Sequence, residues 1–278
     1  MVTKNNQARV AKGWADLTQL MSKSILVFVS LLALTVSGPK SVRADSGGLF
    51  VFMGPHFVLN VAKWASLDRY GRENAALANY APTSGGIVLF GDSIFDLWDE
   101  PPNDSVYPRA LINRGVSAQT TFQMLMRFRS DVINIKPTYV IINAGTNDIA
   151  DLAGKMDMHA IQENMSSMAE LARFHGIKVV LTTVLPVCDC KKLGNGNLIL
   201  QTQHRLPQNI RMMNKWIKDY AAKNGFGIID FYTGLVDAQG LAKEGLTADG
   251  VHPNVAGYAI MRGQIRAFLK TESVRVEW

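Results

Sequence analysis

Short runs of consecutive apolar residues recur along the chain, and segments with helical spacing separate them. Runs of four to seven residues that are rich in β-branched types and bounded by turn signals are typical of strands buried on both faces. A very short run at Leu111-Ile112, which ends at Asn113-Arg-Gly115, predicts one more strand. The other predicted strands cover residues 87–90, 139–142, 178–184 and 228–231.

Between these runs, apolar residues recur every three or four positions, which predicts amphipathic helices. Pro137 and Gly225 are helix stop signals. Strands that alternate with helices and are buried on both faces predict an α/β protein, in which helices cover both sides of a parallel sheet. Residues 195–207 are predicted to be irregular. The predicted helices cover residues 57–79, 122–133, 161–175, 210–223 and 254–270.

The first 44 residues have the order of features of a secretory signal. Basic residues up to Lys23 precede an apolar run at residues 25–36, and Val42-Arg-Ala44 follows as a small-residue cleavage site. That run is shorter than the ~20 residues that a membrane-spanning helix needs. We expect cleavage after Ala44, with Met21 as an alternative start, which leaves one domain at residues 45–278 in a secreted or periplasmic protein. An uncleaved N-terminal anchor is the alternative.

Most of the positive charge lies in this leader. Residues 1–44 contain six of the 29 Lys and Arg residues and one of the 23 acidic residues, so the remainder is close to neutral. A near-neutral chain gives no electrostatic reason to expect nucleic acid or an anionic surface as a partner.

The chain has two cysteines, Cys188 and Cys190. With no histidine nearby they make a poor metal site. After export they would either form an i,i+2 disulfide or stay free in a loop. We expect neither state to take part in catalysis.

Polar residues that carry chemistry follow three of the predicted strands. Gly91-Asp92-Ser93 follows the first strand, Asn113-Arg-Gly115 ends the second, and Gly145-Thr-Asn147-Asp148 follows the third. In open α/β sheets the reactive groups lie outside the carboxyl ends of the strands. Ser93 is therefore well placed as a nucleophile, although Gly-Asp-Ser is also a common turn.

The segment Asp249-Gly-Val-His252, before the last predicted helix, contains a candidate base. Pro253 disfavours helical backbone angles at His252, which predicts an extended or turned loop. In such a loop the Asp249 carboxylate can bond the imidazole Nδ1–H and leave Nε2 facing Ser93. The alternative is an ordinary turn at Asp249-Gly250, with His252 capping the helix.

Acyl transfer also needs donors for the oxyanion that develops on the substrate. The candidates are the backbone N–H groups of Ser93 and Gly115 and the side-chain amide of Asn147. Gly115 has no side chain, so its backbone can approach a substrate closely. Asp148 is expected to be structural, as a turn or cap residue. The other histidines, which have no acidic partner at suitable spacing near a strand end, are His56, His159, His175 and His204.

Together these blocks resemble the SGNH (GDSL) hydrolase family. Gly91-Asp-Ser93, Gly115, Gly145-x-Asn147-Asp148 and Asp249-x-x-His252 occur in the order of that family, over essentially the whole chain after the leader. The resemblance is greatest to bacterial acylhydrolases of the lysophospholipase L1 and acetyl-esterase type. Two positions depart from the usual pattern, since Phe95 replaces a frequent Thr and Ala118 replaces a frequent Gly.

This resemblance implies a three-layer α/β/α sandwich with a flavodoxin-like, five-stranded parallel sheet. It also implies a triad of Ser93, His252 and Asp249, an oxyanion hole from Ser93, Gly115 and Asn147, and no metal or cofactor. The implied activity is that of a serine esterase, which hydrolyses carboxylic esters of small molecules, glycans or lipids through an acyl-enzyme.

Within this activity we expect short acyl groups, such as acetyl on a carbohydrate, because no long apolar lid segment is evident. Lysophospholipid or thioester hydrolysis is the alternative. A hypothesis from another class is a non-catalytic carbohydrate-binding relative with the same fold. Such a protein would be expected to lose Ser93, Asn147 or His252, and all three are present.

Overall fold

Five parallel strands form a single sheet in a computed structural model, which describes residues 61–79, 86–98 and 111–272. The order across the sheet is β2-β1-β3-β4-β5, which is the flavodoxin-like order. The predicted α/β/α fold class is therefore confirmed. The strands are β1 (Ile87–Gly91), β2 (Leu111–Gly115), β3 (Tyr139–Asn143), β4 (Lys178–Thr182) and β5 (Gly227–Ile229).

Helices connect the consecutive strands from β2 to β5, as parallel pairing requires. Two single turns of 3₁₀ helix, Ile133–Ile135 and Glu244–Leu246, add to the connections. The α-helices of the described residues are α1 (Val61–Trp64), α2 (Gly71–Asn79), α3 (Ser93–Asp96), α4 (Thr121–Asp131), α5 (Thr146–Ile149), α6 (Met158–Phe174), α7 (Gln201–His204), α8 (Pro207–Asn224), α9 (Phe231–Leu235) and α10 (Val255–Thr271).

The core has two layers because successive side chains of a strand point to opposite faces of the sheet. In β1, Val88 and Phe90 pack in one cluster with residues of α4, α6 and α8. Ile87 and Leu89 pack in a second cluster, with residues of α3, α9 and α10. All four β1 side chains are 0% exposed. Continuous apolar runs in the sequence are thus explained by helices on both faces.

The register of the sheet brings three of the sequence blocks to one edge. Gly91, at the end of β1, pairs with Gly115 of β2 and with Asn143 of β3. The chain therefore leaves these three strands side by side. The residues that follow, including Ser93 and Asn147, start from neighbouring points on the carboxyl edge of the sheet.

The structure differs from the sequence prediction in the helix expected at residues 57–79. Residues 61–79 contain two helices, α1 and α2, with a turn between them in which Ser66 has a φ of 52°. The carbonyl oxygens of Trp64 and Ala65 accept side-chain hydrogen bonds from Gln123 (2.9 Å) and Gln119 (2.8 Å). In a continuous helix these two carbonyl oxygens would accept hydrogen bonds from backbone N–H groups one turn later. Here they bond glutamine side chains instead, at the end of α1.

Two further differences lie in the carboxyl-terminal half. The last strand ends at Ile229 rather than Phe231, because the Asp230 side chain accepts a hydrogen bond from the Thr233 N–H (3.2 Å) and caps α9. Residues 195–207, predicted to be irregular, contain the short helix α7, and Leu198 forms an isolated antiparallel bridge with Lys192.

The leader predicted at residues 1–44, its cleavage after Ala44 and the alternative start at Met21 all lie outside the described residues, as does His56. Among the helices that the structure does describe, none is both long and apolar enough to cross a membrane.

Candidate active site

Ser93 stands immediately after β1, at the first position of α3. Asp92 separates it from the strand and caps the helix, with its Oδ1 accepting a hydrogen bond from the Ile94 N–H (2.9 Å). Tyr258 of α10 donates its hydroxyl hydrogen to the Ile94 carbonyl oxygen (2.9 Å). The Ser93 residue is 7% exposed. The predicted nucleophile is thus held at the carboxyl edge of the sheet by a rigid strand-to-helix turn.

The segment from Asp249 to His252 is a turned loop that its own first residue stabilises. Asp249 Oδ1 accepts hydrogen bonds from the backbone N–H groups of Val251 (3.0 Å) and His252 (2.8 Å). Gly250 has a φ of 92°, and a Cβ there would lie 2.2 Å from the Cys188 carbonyl oxygen. The helix that follows is capped by Asn254, which accepts from Ala256 (2.9 Å). The alternative that His252 caps this helix is therefore excluded.

Ser93, His252 and Asp249 form one hydrogen-bonded chain. His252 Nε2 lies 2.9 Å from Ser93 Oγ, across 159 residues of sequence. On the other side of the ring, His252 Nδ1 lies 2.7 Å from Asp249 Oδ2. The His252 and Asp249 side chains are 20% and 19% exposed. The three groups are thus brought together at one partly open rim, as the sequence predicts.

The charge state of Asp249 determines which nitrogen of the His252 ring carries the proton. Burial alone would raise the pKa of Asp249, but the hydrogen bond and charge of His252 and the backbone N–H groups of His252 and Val251 lower it to about 2. The carboxylate is therefore ionised at neutral pH. An ionised Asp249 accepts the Nδ1–H, and Nε2 is left to accept the proton of Ser93.

Asn147, the predicted side-chain oxyanion donor, lies on α5 and is 3% exposed. Its Nδ2 donates to the Gln119 carbonyl oxygen (3.0 Å), in the connection between β2 and α4. Gly145, two residues earlier, has a φ of 108° and lets the chain turn sharply from β3 into this helix. The amide is therefore positioned by a short helix on one side and by the Gln119 carbonyl on the other.

Gly115, the second predicted oxyanion donor, has a different role in the structure. Its N–H donates to the Asn113 side-chain oxygen (2.8 Å), which removes it from the donors that a substrate could reach. A Cβ at this position would lie 2.1 Å from the Asp96 backbone nitrogen. Gly115 is thus required for close packing of β2 against α3, and the expectation that it lines an oxyanion hole is corrected.

The turn after β2 offers another backbone group, at Ala118. Ala118 is exposed, has a φ of 65°, and precedes Gln119, whose carbonyl oxygen binds Asn147. Asp96 of α3 stabilises this turn, because its Oδ2 accepts hydrogen bonds from the Ser117 N–H (3.0 Å) and hydroxyl (2.5 Å). The sequence contains a signal for this position, since Ala118 stands where the related hydrolases frequently have Gly.

Arg205 was not predicted from the sequence as part of the site. It follows α7 and is 9% exposed. Its Nε donates to Thr146 Oγ1 (3.1 Å), and its Nη2 lies 3.4 Å from Asn147 Oδ1. A single arginine in a polar segment forms no motif. No sequence signal therefore indicates that Arg205 contacts residues at the carboxyl edge of the sheet.

Asp148 and the cysteine pair do not take part in the hydrogen bonds that connect Ser93, His252 and Asp249. Asp148 is 1% exposed and accepts hydrogen bonds from the Thr121 N–H (2.9 Å) and hydroxyl (2.5 Å), so it ties α5 to the start of α4. This contact agrees with the structural role expected for Asp148.

Cys188 and Cys190 form a disulfide bond. The described residues contain no group of three or more His, Cys, Asp or Glu side chains that could hold a metal ion.

Asp92 is a buried carboxyl group beside the nucleophile. It is 0% exposed, and its Oδ2 has no hydrogen-bond partner among the described residues. Burial raises the pKa of Asp92 to about 6, although the Ile94 N–H and the charge of His252 act in the opposite direction. At neutral pH the protein thus holds an incompletely bonded carboxylate in its interior, which costs stability.

Asp92→Asn is expected to stabilise the protein at pH 8 but to change little at pH 4. Because the folded-state pKa of about 6 exceeds the ordinary value of 3.8, the stability from protonated Asp92 is present below about pH 4 and is lost as the pH rises through 6. A shift of about two units corresponds to about 3 kcal/mol. Asn keeps the acceptor for Ile94 and cannot ionise.

Urea unfolding of both proteins at pH 4 and pH 8 measures this difference. Asp249, whose pKa is also shifted, is present in both proteins, so its contribution cancels from the difference between them. An increase in the free energy of unfolding of the variant relative to wild type, by ~1–3 kcal/mol between the two pH values, is the expected result. If the free energies of unfolding of the two proteins differed by the same amount at both pH values, the raised pKa of Asp92 would be contradicted.

Comparison with known proteins identifies the family of this chain. A family model described as the GDSL-like lipase/acylhydrolase family matches residues 89–260. The solved structure of a GDSL-like lipase from Bacteroides thetaiotaomicron is 37% identical, with a TM-score of 0.65, and the match covers 75% of this chain and 99% of that one.

Two sequence relatives are similar over part of the chain. The uncharacterized lipoprotein YqeF of Bacillus subtilis is 39% identical over 89 residues, which is 31% of this chain and 35% of YqeF. An acetylxylan esterase of Geobacillus stearothermophilus is 27% identical over 190 residues, or 63% of this chain and 77% of the esterase. The chain thus spans only about a third of the length of YqeF. Since the family model covers more than half of the sequence, the chain belongs to the GDSL-like lipase/acylhydrolase family.

Proposed function

We propose that this protein is a serine esterase that hydrolyses carboxylic esters through an acyl-enzyme. The observation that carries the proposal is the chain of hydrogen bonds from Asp249 through His252 to Ser93, at 2.7 and 2.9 Å. A nucleophile bonded to a base, which is itself oriented by a third group, is the arrangement that acyl transfer requires. The non-catalytic alternative does not account for this arrangement.

In the first half of the reaction, Ser93 Oγ attacks the ester carbonyl carbon while its proton moves to His252 Nε2. The ionised Asp249 stabilises the imidazolium that results and holds the ring in place. When the tetrahedral intermediate collapses, His252 returns the proton to the leaving alcohol oxygen. This step leaves the acyl group on Ser93 and a neutral imidazole.

In the second half, a water molecule takes the place of the alcohol. His252 accepts a proton from the water as its oxygen attacks the acyl carbon, and then protonates Ser93 Oγ as the acid is released. The enzyme returns to its starting state with one ester bond hydrolysed and one water consumed. No oxidant, reductant or cofactor is needed to balance the reaction.

The oxyanion would be stabilised by N–H groups at the same edge of the sheet. Asn147 Nδ2 uses one hydrogen for the Gln119 carbonyl, which leaves the second for the substrate. We place the backbone N–H groups of Ser93 and Ala118 beside it, with Ala118 replacing the Gly115 expected from the sequence. In a structure with a phosphonate on Ser93, the phosphoryl oxygen should lie within ~3.1 Å of the Ala118 nitrogen and Asn147 Nδ2. An oxygen that points to solvent would contradict this assignment.

As substrate we propose short acyl groups, such as acetyl on a carbohydrate. The similarity to an acetylxylan esterase over 77% of that protein supports this choice. The alternative, a lysophospholipid or acyl thioester, is favoured by a different observation. Leu193, Leu198 and Leu200 are 40–50% exposed in the segment that leads to α7, and exposed apolar side chains can bind a longer acyl chain.

A side-by-side assay separates these substrates. Acetylated xylan, lysophosphatidylcholine and an acyl thioester are each compared at equal ester concentration, with Ser93→Ala as the blank. A kcat/KM for the acetylated glycan at least ~10-fold above the other two supports the short-acyl proposal, since this ratio is about 1.4 kcal/mol of transition-state discrimination. A higher value for lysophosphatidylcholine or the thioester would overturn it.

We also infer that residues 1–44 direct export, as the sequence predicts. That YqeF is described as a lipoprotein agrees with a location outside the cytoplasm. Sequencing of the mature amino terminus from a secreting host should begin at Asp45, and a retained leader would contradict the inference.

A further inference from the structure

Arg205 is a buried cation whose hydrogen bonds, within the described part of the chain, all go to neutral groups. Its Nε donates to Thr146 Oγ1 (3.1 Å), its Nη1 to Gln201 Oε1 (3.1 Å), and its Nη2 to Asn147 Oδ1 (3.4 Å). The residue is only 9% exposed. Burial of a guanidinium is costly unless something offsets it, and a carboxylate is the usual partner.

Arg127 shows the usual arrangement in the same protein. It is 0% exposed, and its Nη1 lies 3.0 Å from Asp131 Oδ2. Arg205, by contrast, makes no ion pair with any residue that the structure describes. Burial lowers the pKa of Arg205, and the charges of Asp92 and Asp249 act on it from a distance in the opposite direction. Among the described residues no direct contact therefore neutralises its positive charge, which acts on Asp92 and Asp249 of the candidate active site.

The contact with Asn147 has a specific consequence for the side-chain amide. Arginine can only donate hydrogen bonds and a backbone carbonyl can only accept them. Arg205 therefore faces the amide oxygen of Asn147, while the Gln119 carbonyl faces its nitrogen (3.0 Å). Only one orientation of the amide satisfies both neighbours. That orientation keeps the NH₂ group on the side away from Arg205.

Arg205 also reaches the opposite side of the site through Gln201. Gln201 accepts from Arg205 with its Oε1, and its Nε2 donates to the Asp249 backbone carbonyl (3.3 Å). The adjacent Thr202 is tied to Asp189, which accepts from its N–H (2.8 Å) and hydroxyl (2.6 Å). The segment around α7 therefore spans the Asn147 side and the Asp249 side of the rim, with Arg205 at its centre.

We propose that Arg205 is a positioning residue of the oxyanion hole. It fixes the orientation of the Asn147 amide and, as a buried cation bonded to the amide oxygen, strengthens donation by the NH₂ group to the developing oxyanion. The inference rests on the proposed esterase function and deepens it. It also assigns a role to the polar segment before α8, which the sequence blocks leave unexplained.

Steady-state kinetics with p-nitrophenyl acetate test the role of the charge and of the guanidinium shape. Arg205→Met should lower kcat by ~10–100-fold with KM changed less than about twofold, because the lost interaction acts mainly in the transition state. Arg205→Lys should recover part of the loss, since it keeps the charge but not the forked donor geometry. Arg211→Met, which removes an exposed arginine of α8, should leave kcat unchanged.

A double-mutant cycle then tests whether Arg205 acts through Asn147. In an Asn147→Ala background, Arg205→Met should cost less than about threefold in kcat, because the group that it positions is already absent. Losses that multiply independently would overturn the proposal. So would a kcat for Arg205→Met within threefold of wild type. Circular dichroism establishes whether each variant is folded. If Arg205→Met is not folded, Arg205→Lys replaces it in both measurements.

A second readout does not depend on catalysis. In wild type the side-chain NH₂ protons of Asn147 should exchange slowly with solvent, and in Arg205→Met their exchange by NMR should be at least ~10-fold faster. Equal exchange in both proteins would refute the positioning role. If instead wild type and Ser93→Ala hydrolyse the ester equally, the esterase proposal fails, and the exchange rates still decide whether Arg205 orients the amide.

Discussion

Replacement of Ser93 with alanine is expected to lower kcat for p-nitrophenyl acetate by ~10⁴-fold or more. The hydroxyl at this position lies 2.9 Å from His252 Nε2, and without it no acyl-enzyme can form. Loss of a serine nucleophile costs this much because the remaining groups, which bind the substrate and its oxyanion, accelerate only the slow direct attack of water.

The matched control for this substitution is Ser167→Ala, on α6, which is not one of the groups assigned to the candidate active site. It should retain full activity. Both variants should unfold within a few degrees of wild type, since removal of one hydroxyl leaves the core unchanged. Equal rates of ester hydrolysis by wild type and Ser93→Ala would remove the esterase proposal.

His252→Ala is expected to have an effect of similar size, ~10⁴-fold in kcat. Nucleophile and base act as a unit, so removal of either eliminates the same pathway. The variant also leaves Asp249 without the partner that lowers its pKa. Added imidazole should restore part of the activity, because a small free base can enter the space that the ring occupied and accept the proton of Ser93.

His159→Ala is the control for the second substitution. His159 lies on α6 with its side chain 75% exposed, and its Nδ1 is 3.5 Å from Glu163 Oε2. Its replacement should change neither kcat nor KM. If His252→Ala kept more than a tenth of the wild-type kcat, another group would have to be the base, and the chain from Asp249 to Ser93 would be structural only.

Ser93 and Asn147 could be located from the sequence because each follows a strand that hydrophobicity alone reveals. Parallel pairing then aligns these ends, as the pairing of Gly91 with Gly115 and Asn143 shows. Pro253 restricts the backbone of the His252 segment, and the observed turn follows from that local constraint. The positions of Ser93, Asn147, Asp249 and His252 were predictable for these reasons.

The donors of the oxyanion hole were not predictable in the same way. A glycine such as Gly115 signals close approach of backbone, and the sequence does not say whether a substrate or another strand comes close. The structure shows that Asn113 and Asp96 occupy that space. Arg205 was missed because its role depends on the path of residues 188–206, whose contacts with Asp249 and Asn147 are formed by tertiary packing rather than local pattern.

The proposed mechanism requires Ser93 to be an activated nucleophile. The most direct test is reaction with a fluorophosphonate ester, which forms a stable covalent bond to an activated serine, followed by peptide mass spectrometry. A single adduct on Ser93 is expected, formed at least ~100-fold more slowly in His252→Ala because the base is missing. An adduct on another residue, or equal labelling rates in wild type and His252→Ala, would contradict it.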